Sequence, residues 1–320
     1  VYLLTRMNPV IAEAAGWAPD LIAWVGLFTA LFAATIAVAQ NDIKKVLAYS
    51  TVSQLGFMFV AVGSGLYVAA IFHMITHAFF KALLFLGAGS VIHGMDDEQD
   101  MRHYGALAKA MPITAGTFII GWLAISGVPP FSGFWSKDEV LLAAYNENVV
   151  LWVLLLIAAV MTAFYMSRLV FLTFFGEARW GAGAASSEVA AEADTAVDTD
   201  VAEEAAGPAP DHGGHDVHPH ESPWTMWLPL VALAGLAVVA GVLNLPFSSD
   251  TKFLEHWLEP ILFGNEVHVD ASSGTKWVLA IIAVIAGLAG ILGAAAIYLR
   301  GRVSADSIET PILAEGWYYD

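Results

Sequence analysis

Three ionisable side chains recur at four-residue spacing inside one apolar run: His73, His77 and Lys81 in AIFHMITHAFFKALLFLGAGSVI, residues 70–92. On an α-helix such positions fall close to one stripe, with roughly 12 Å of rise from the first to the third. Imidazoles titrate near neutral pH through two ring nitrogens, and lysine carries an exchangeable charge, so the chemistry on offer is proton transfer along the row. The run is long enough to cross a bilayer. There a lysine at mid-depth costs about 2.5–3.5 kcal/mol on insertion scales, so it is expected to face protein or a wet cavity and to mark an ion path. The competing reading, a lysine snorkelling to the headgroups, suits a residue near a helix end, whereas Lys81 lies near the middle of residues 65–93.

A second candidate site is GVPPFSGFWSKDE, residues 127–139. Pro129 and Pro130 remove backbone donors and block helix continuation, so the span is expected to break into two half-helices, an arrangement that commonly frames ion sites. Lys137 follows the break, with Asp138 and Glu139 behind it. Sequence neighbours do not face each other on a helix, so Lys137 and Asp138 need not pair. The plainer alternative is a surface loop with ordinary charges. Desolvation disfavours an ammonium and a nearby carboxylate restores it, so a moving counter-ion can switch a buried lysine between loaded and unloaded states.

In QNDIKKVLAYSTVSQLG, residues 40–56, Asp42 is placed to cap a helix, and Lys44 and Lys45 sit at its edge. Ser50, Thr51, Ser53 and Gln54 are polar for lipid, and either bond neighbouring helices or line a hydrated channel. Lys45 and Ser53 are therefore supporting candidates. Arg168 lies towards a span end, where it either snorkels or pairs with an acid, and His93 and His103 flank a turn and are expected to meet water.

The elements that must position these groups are membrane helices. The chain is 58% hydrophobic and only 13% charged, with repeated apolar runs, which excludes a soluble core of this length and gives an all-α, polytopic transmembrane bundle. About seven spans can be drawn, at 20–39, 43–63, 67–93, 112–146, 149–175, 223–245 and 276–299, the fourth too long for one straight crossing. The expected division is a core bundle at 1–176, an acidic His-containing cytoplasmic loop at 177–222, two further spans at 223–299 and a cytoplasmic link at 300–320. Lys44, Lys45, Arg102, Lys109, Arg179, Arg300 and Arg302 fall in loops on one side, against Arg6, Lys252 and Lys276 on the other. That asymmetry assigns the first side to the cytoplasm.

The net charge of −17 does not call for a basic partner, because eleven acidic residues fall between Glu177 and Glu221 with a single Arg. That stretch reads as flexible and solvated. Its His212, His215, His218 and His220 resemble a metal-binding tract, though a solvated loop explains them better, and no metal site is expected. No cysteine occurs, which removes disulfides, thiolate catalysis and Cys-ligated iron–sulfur clusters. The chain opens at Val1 inside an apolar stretch without a signal-peptide pattern and stops abruptly after ILAEGWYYD, so a piece of a longer protein is expected.

Together, NDIKKVLAYSTVSQLG, HMITHAFFKALLFLGAGSVIH, DDEQDMRHYGAL and GVPPFSGFWSKDEVL closely resemble the antiporter-like subunits of respiratory complex I, of the distal subunit L or chain 5 type. The resemblance is strong over residues 20–176 and weaker beyond. It implies a proton channel with a central lysine and histidine row: Lys81 matches the family's buried lysine, His73 and His77 its connecting histidines, and Lys137 the lysine beside its broken helix, at the periplasmic exit. The family's upstream carboxylate–lysine pair has no counterpart in this chain. The resemblance further implies a bacterial inner-membrane location and partners in the other membrane-arm subunits, above all the neighbouring antiporter-like subunit, with lipids around them and no nucleic acid. No cofactor is expected in this chain, with NADH, FMN, iron–sulfur clusters and quinone in other subunits. The large subunit of multisubunit sodium/proton antiporters shares the HAFFKALLF-like stretch and the broken helix, and membrane-bound hydrogenase subunits are a second relative, but EQDMR at 98–102 favours complex I over both. A non-transporting scaffold would explain the apolar spans but not ionisable groups at mid-depth.

Overall fold

The computed structural model describes residues 1–14, 16–180, 218–267, 269, 271–300, 313 and 317. The expected acidic loop therefore lies outside the described residues from 181 to 217, with His212 and His215, and so does most of the expected terminal link, with Arg302. Among the described residues there are helices and no strands. In chain order they are α1 (Tyr2–Arg6), α2 (Asn8–Glu13), α3 (Trp17–Ala39), α4 (Ile43–Gly63), α5 (Tyr67–Gly94), α6 (Pro112–Ile125), α7 (Ser132–Glu147), α8 (Val149–Phe174), α9 (Trp224–Val239), α10 (Phe253–Leu262) and α11 (Ser273–Tyr298).

Six of these segments, α3, α4, α5, α8, α9 with its 3₁₀ extension to Asn244, and α11, are long and apolar enough to span a membrane. The seventh crossing is the pair α6 and α7. It is broken where expected, because α6 stops at Ile125 and α7 starts at Ser132, with the two prolines between. Gly133 permits the close approach of the halves: a Cβ there would run into the backbone carbonyl of Ala124.

Helix starts follow local chemistry in several places. The Asp42 carboxylate accepts from Lys44 N at 2.7 Å and Lys45 N at 3.0 Å and caps α4, Asn148 accepts from Val150 N at 2.8 Å and caps α8, and Ser272 accepts from Thr275 N at 3.1 Å and caps α11. The start of α6 is different. Its N-cap, Met111, offers no acceptor, and the carboxylate of Glu221 does the work, accepting from Ile113 N at 2.7 Å and from Thr114 Oγ1 at 2.5 Å. Glu221 was expected to belong to a solvated acidic loop. It is instead anchored at a helix start, because an anion there satisfies free amides and meets the positive end of the helix dipole.

The turns sort into two faces. On the basic-rich face, Met101 N donates to Asn41 O at 2.9 Å and Arg179 N to Tyr104 O at 3.0 Å, joining the turns after α3, α5 and α8. Partial burial pushes the Glu98 carboxyl up. The amides of Asp100 and Gln99 and the imidazole of His103 outweigh that and hold it below the ordinary carboxylate range. His103 is thus paired with Glu98 at 2.8 Å, and His93 lies against His220 with ring centroids 5.8 Å apart. On the opposite face, Val267 N donates to Gly65 O at 3.1 Å and Asn265 Nδ2 to Asn8 Oδ1 at 2.8 Å.

Arg168 neither snorkels nor sits at a lipid boundary. It is fully buried, and its guanidinium donates to the Gln40 carbonyl, to Asn41 Oδ1 at 2.5 Å and to Tyr298 Oη at 3.1 Å. It ties α8 to the α3–α4 turn and to α11. At the centre lies α5, packed against α4, α6, α7 and α9. Lipid-sized apolar side chains are exposed at the periphery, as with Ile281, Ile285 and Leu292 on α11.

Glu221→Ala should lower the thermal unfolding midpoint of the detergent-purified protein by an amount equivalent to about 1 kcal/mol, the usual cost of a lost cap. Glu221→Gln, which keeps an acceptor oxygen, should lose less. Equal midpoints for the alanine variant and the parent would show that the amide of Ile113 does not depend on this carboxylate.

Candidate functional site

The helical stripe read from spacing is present on α5, and all three members are buried: His73 is 1%, His77 8% and Lys81 5% exposed. None faces lipid. Lys81 Nζ donates to the backbone carbonyl of Leu47 on α4 at 3.1 Å and lies 5.9 Å from the centroid of Phe85. The same Leu47 carbonyl accepts from Thr51 Oγ1 at 2.9 Å. The rings of His77 and His73 are 6.2 Å apart, and Phe80 packs edge-on to His77 at 5.4 Å. His77 Nε2 is buried without a hydrogen-bond partner among the described residues.

His73 is held from both sides. Nε2 lies 3.1 Å from Gln54 Oε1 on α4, and Nδ1 lies 2.9 Å from Ser136 Oγ on α7. The tautomer follows from the network. Thr162 Oγ1 donates to Ala158 O at 2.8 Å, so it receives Gln54 Nε2, at 3.4 Å, and leaves Gln54 Oε1 as the acceptor facing His73. Nε2 of a neutral His73 therefore carries the hydrogen, and Nδ1 is the nitrogen open to a proton. It faces Ser136, whose hydroxyl also lies 2.7 Å from Thr76 Oγ1. Ser136 precedes Lys137.

Lys137 is 5% exposed, and its Nζ donates to Ile125 O, the last carbonyl of α6, at 3.0 Å. The acceptor is free for a reason written in the sequence. The helical donor to Ile125 O would be the amide of residue 129, which is proline. The negative end of the half-helix adds to the attraction. Phe57 presents its ring 5.1 Å from the same ammonium.

Beyond Lys137 two cavities lie in series. A small one of about 10 Å³ is bordered by Lys137, Asp138 and Phe134. A larger one of about 230 Å³ is again bordered by Asp138 and Phe134, and then by Glu139, Glu255, Glu266 and Lys276 from the basic-poor face. Glu139 Oε1 accepts from Asn244 Nδ2 at 2.8 Å. Burial pushes the Glu266 carboxyl, in the link before α11, up to about 7, against the pull of two backbone amides.

The structure thus brings His73, His77, Lys81 and Lys137 into one buried row, with Asp138 and Glu139 at its basic-poor end. Lys45 is exposed at the basic-rich face, away from the row. Ser53 donates to Ala30 O on α3 at 2.9 Å, which is a packing bond, while Ser50 accepts from Tyr165 Oη at 2.9 Å. Sequence reasoning missed Ser136, Thr76, Thr162 and Tyr165, and did not single out Glu266. The available signals were a hydroxyl next to Lys137 and an acid in a short link between two spans. No group of three or more His, Cys, Asp or Glu side chains able to hold a metal occurs among the described residues.

The family model described as NADH:quinone oxidoreductase/Mrp antiporter, transmembrane, matches residues 1–162. Chain 5 of the NAD(P)H-quinone oxidoreductase of a Picosynechococcus species is 45% identical over all of this chain and 48% of its own length. Subunit L of the NADH-quinone oxidoreductase of Rhodobacter capsulatus is 46% identical over 76% of this chain and 31% of its own, and that of Mycobacterium tuberculosis is 40% identical over 93% and 42%. The chain spans half or less of the length of these relatives. A chain of the Mrp complex from a Dietzia species superposes over 99% of this chain and 31% of its own, with a TM-score of 0.62 at 22% identity, which shows a shared fold.

Ser136→Ala should leave His73 Nδ1 without a partner in a dry interior and Thr76 Oγ1 with only the His73 carbonyl, at 3.2 Å. It should destabilise the purified protein by about 1–3 kcal/mol, read as a lower unfolding midpoint, with Ser136→Thr recovering part of the loss. A midpoint unchanged in the alanine variant would mean that this hydroxyl does not fasten α5 to α7.

Proposed function

The chain belongs to the NADH:quinone oxidoreductase/Mrp antiporter transmembrane family, and from that membership we propose that it forms part of a proton-translocating membrane subunit of a respiratory NADH:quinone oxidoreductase, of the subunit L or chain 5 type. In this reading the chain holds no redox centre, and NADH, FMN, iron–sulfur clusters and quinone belong to other subunits. Its partners are the other membrane-arm subunits, in particular a neighbouring antiporter-like subunit, in a bacterial cytoplasmic membrane with the basic-rich face inside.

The observation that carries the proposal is the buried row of Lys81, His77, His73, Ser136 and Lys137 inside a membrane bundle, with His73 bonded to Ser136 beside Lys137. Lys81 and Lys137 are each held by a backbone carbonyl and an aromatic face. Dipoles of that kind stabilise a buried cation less than a carboxylate does, so an approaching positive charge or a departing counter-ion suffices to discharge it. The imidazoles between them pass the proton: His73 accepts at Nδ1, and His77 offers an unpartnered nitrogen one turn nearer Lys81. Asp138, bordering both cavities, is the first carboxylate after Lys137, and the larger cavity opens the route to the basic-poor face.

A second reading, the large subunit of a multisubunit sodium/proton antiporter or a membrane-bound hydrogenase, would use the same row. Identities of 40–46% to quinone oxidoreductase subunits, against 22% to the Mrp chain, favour the first.

In inverted membrane vesicles containing the assembled complex, Lys81→Ala should lower the number of protons moved per NADH oxidised while the complex still assembles and reduces quinone. Lys137→Ala should do the same, with its loss seen at the lumenal side. Full pumping by a normally assembled Lys81→Ala complex would overturn the relay assignment.

A further inference from the structure

The helix that carries the row is capped from a distant part of the chain. The N-cap of α5, Leu66, has no side-chain acceptor. The Glu266 carboxylate takes the free amides instead, accepting from Tyr67 N at 2.9 Å and from Val68 N at 3.2 Å. The link bearing Glu266 is fastened beside them. Val267 N donates to Gly65 O at 3.1 Å, and the Val267 side chain covers Gly65, whose φ of +74° and close cover leave no room for a Cβ. Asn265 Nδ2 donates to Asn8 Oδ1 at 2.8 Å on the other side. Glu266 also borders the larger cavity, on which Asp138 lies.

We propose that Glu266 is a positioning residue of the relay: by holding the first turn of α5 it sets the height of His73 between Gln54 and Ser136, and, as part of the cavity wall, it ties that height to the proton supply of the basic-poor face. The inference rests on the relay reading given above.

The lever is short and stiff. Six residues of helix separate Tyr67 from His73, roughly 9 Å of rise, and an α-helix transmits an axial displacement along its length. His73 is clamped by bonds of 2.9 and 3.1 Å to two other helices. An axial shift of α5 moves His73 relative to both partners at once and spoils the alignment of the two bonds. An ionised Glu266 meets the positive end of the α5 dipole with two amides, while a protonated one is neutral and a weaker cap. The groups facing it among the described residues are Tyr67 on α5, Asp138 and Glu139 on α7, Lys252 and Glu255 at α10, and Lys276 on α11. Burial, with a smaller push from Glu255, raises the carboxyl to about 7 against the pull of the two amides and Lys252. The sign follows: protonation is favoured in the folded state up to that value, so the cap is strongest above neutral pH and weakens as the lumenal pH falls through about 7.

The test compares the parent, Glu266→Gln, Glu266→Ala and Lys81→Ala as assembled complexes in inverted vesicles, measuring protons moved per NADH oxidised as lumenal pH is varied from about 6 to 8 around the value expected for a perturbed carboxyl. Glu266→Gln keeps an acceptor oxygen but cannot ionise. It should assemble and reduce quinone normally, pump about two- to five-fold less well above neutral lumenal pH, as expected for loss of a helix-terminus charge, and lose the lumenal pH dependence of the parent. Glu266→Ala should lose more. A Gln variant with the parent's ratio and the parent's lumenal pH profile, beside a Lys81→Ala complex that does not pump, would overturn the role of Glu266 and leave the relay standing. A Lys81→Ala complex that pumps as the parent does would instead overturn the relay.

Discussion

Pro129 has no amide to give the carbonyl of Ile125, and the ammonium of Lys137 takes its place at 3.0 Å. In a bilayer interior neither group can be left alone, since an unmet backbone polar group and an unsolvated cation each cost several kcal/mol. Each removes the other's penalty. The pairing also fixes geometry, because Lys137 can reach Ile125 O only if α7 starts directly beneath α6, with Gly133 against Ala124. That register presents Ser136 to His73 and turns Asp138 towards the cavities. One missing N–H thus determines the height of a half-helix and the end of the row.

The same economy operates on α4, whose polar residues divide by neighbour. Ser53 closes on the α3 backbone, Gln54 reaches His73, and the Leu47 carbonyl, already bonded by Thr51, receives Lys81. Residues adjacent in sequence therefore meet different partners, Ser53 a packing neighbour and Gln54 the row, as a helical turn directs them to different helices. Arg168 gives the opposite case. With three acceptors from two other elements it is fixed, which makes it a fastener joining α8 to the α3–α4 turn and α11.

What the sequence discloses and what it hides separate along a physical line. The row on α5 and the break before α7 are written in local spacing, a four-residue period and a proline pair, and both survive in the structure. The spans were legible because a stretch of lipid-facing side chains has few alternatives. The caps from Glu221 and Glu266 were not legible. Each serves a helix more than a hundred residues away, so no local pattern of cap and first turn betrays it. Ser136 was hidden for a related reason, and Gln54, legible as a polar group, gave no sign of its partner, since both take their meaning only where α4, α5 and α7 converge on one imidazole. Arg168 misled because position near a span end is a poor guide when neighbouring turns fold inward over it.

The distribution of opposite charges bears on direction. Along the row, Lys81 and Lys137 are held by carbonyl dipoles and ring faces, while the carboxylates Asp138, Glu139, Glu255 and Glu266 gather around the cavity at the basic-poor end. A close carboxylate on Lys81 would make a buried ion pair, and separating one partner of such a pair costs about 3–5 kcal/mol. A proton held that tightly would not move. Carbonyl-held lysines avoid the trap, and the carboxylates beyond the last of them line the cavity at the basic-poor end. In the proposed relay this order, carbonyl-held lysines with imidazoles between them and carboxylates only beyond Lys137, points travel from Lys81 towards Asp138, and it depends on several helices and the Glu266 link staying in register.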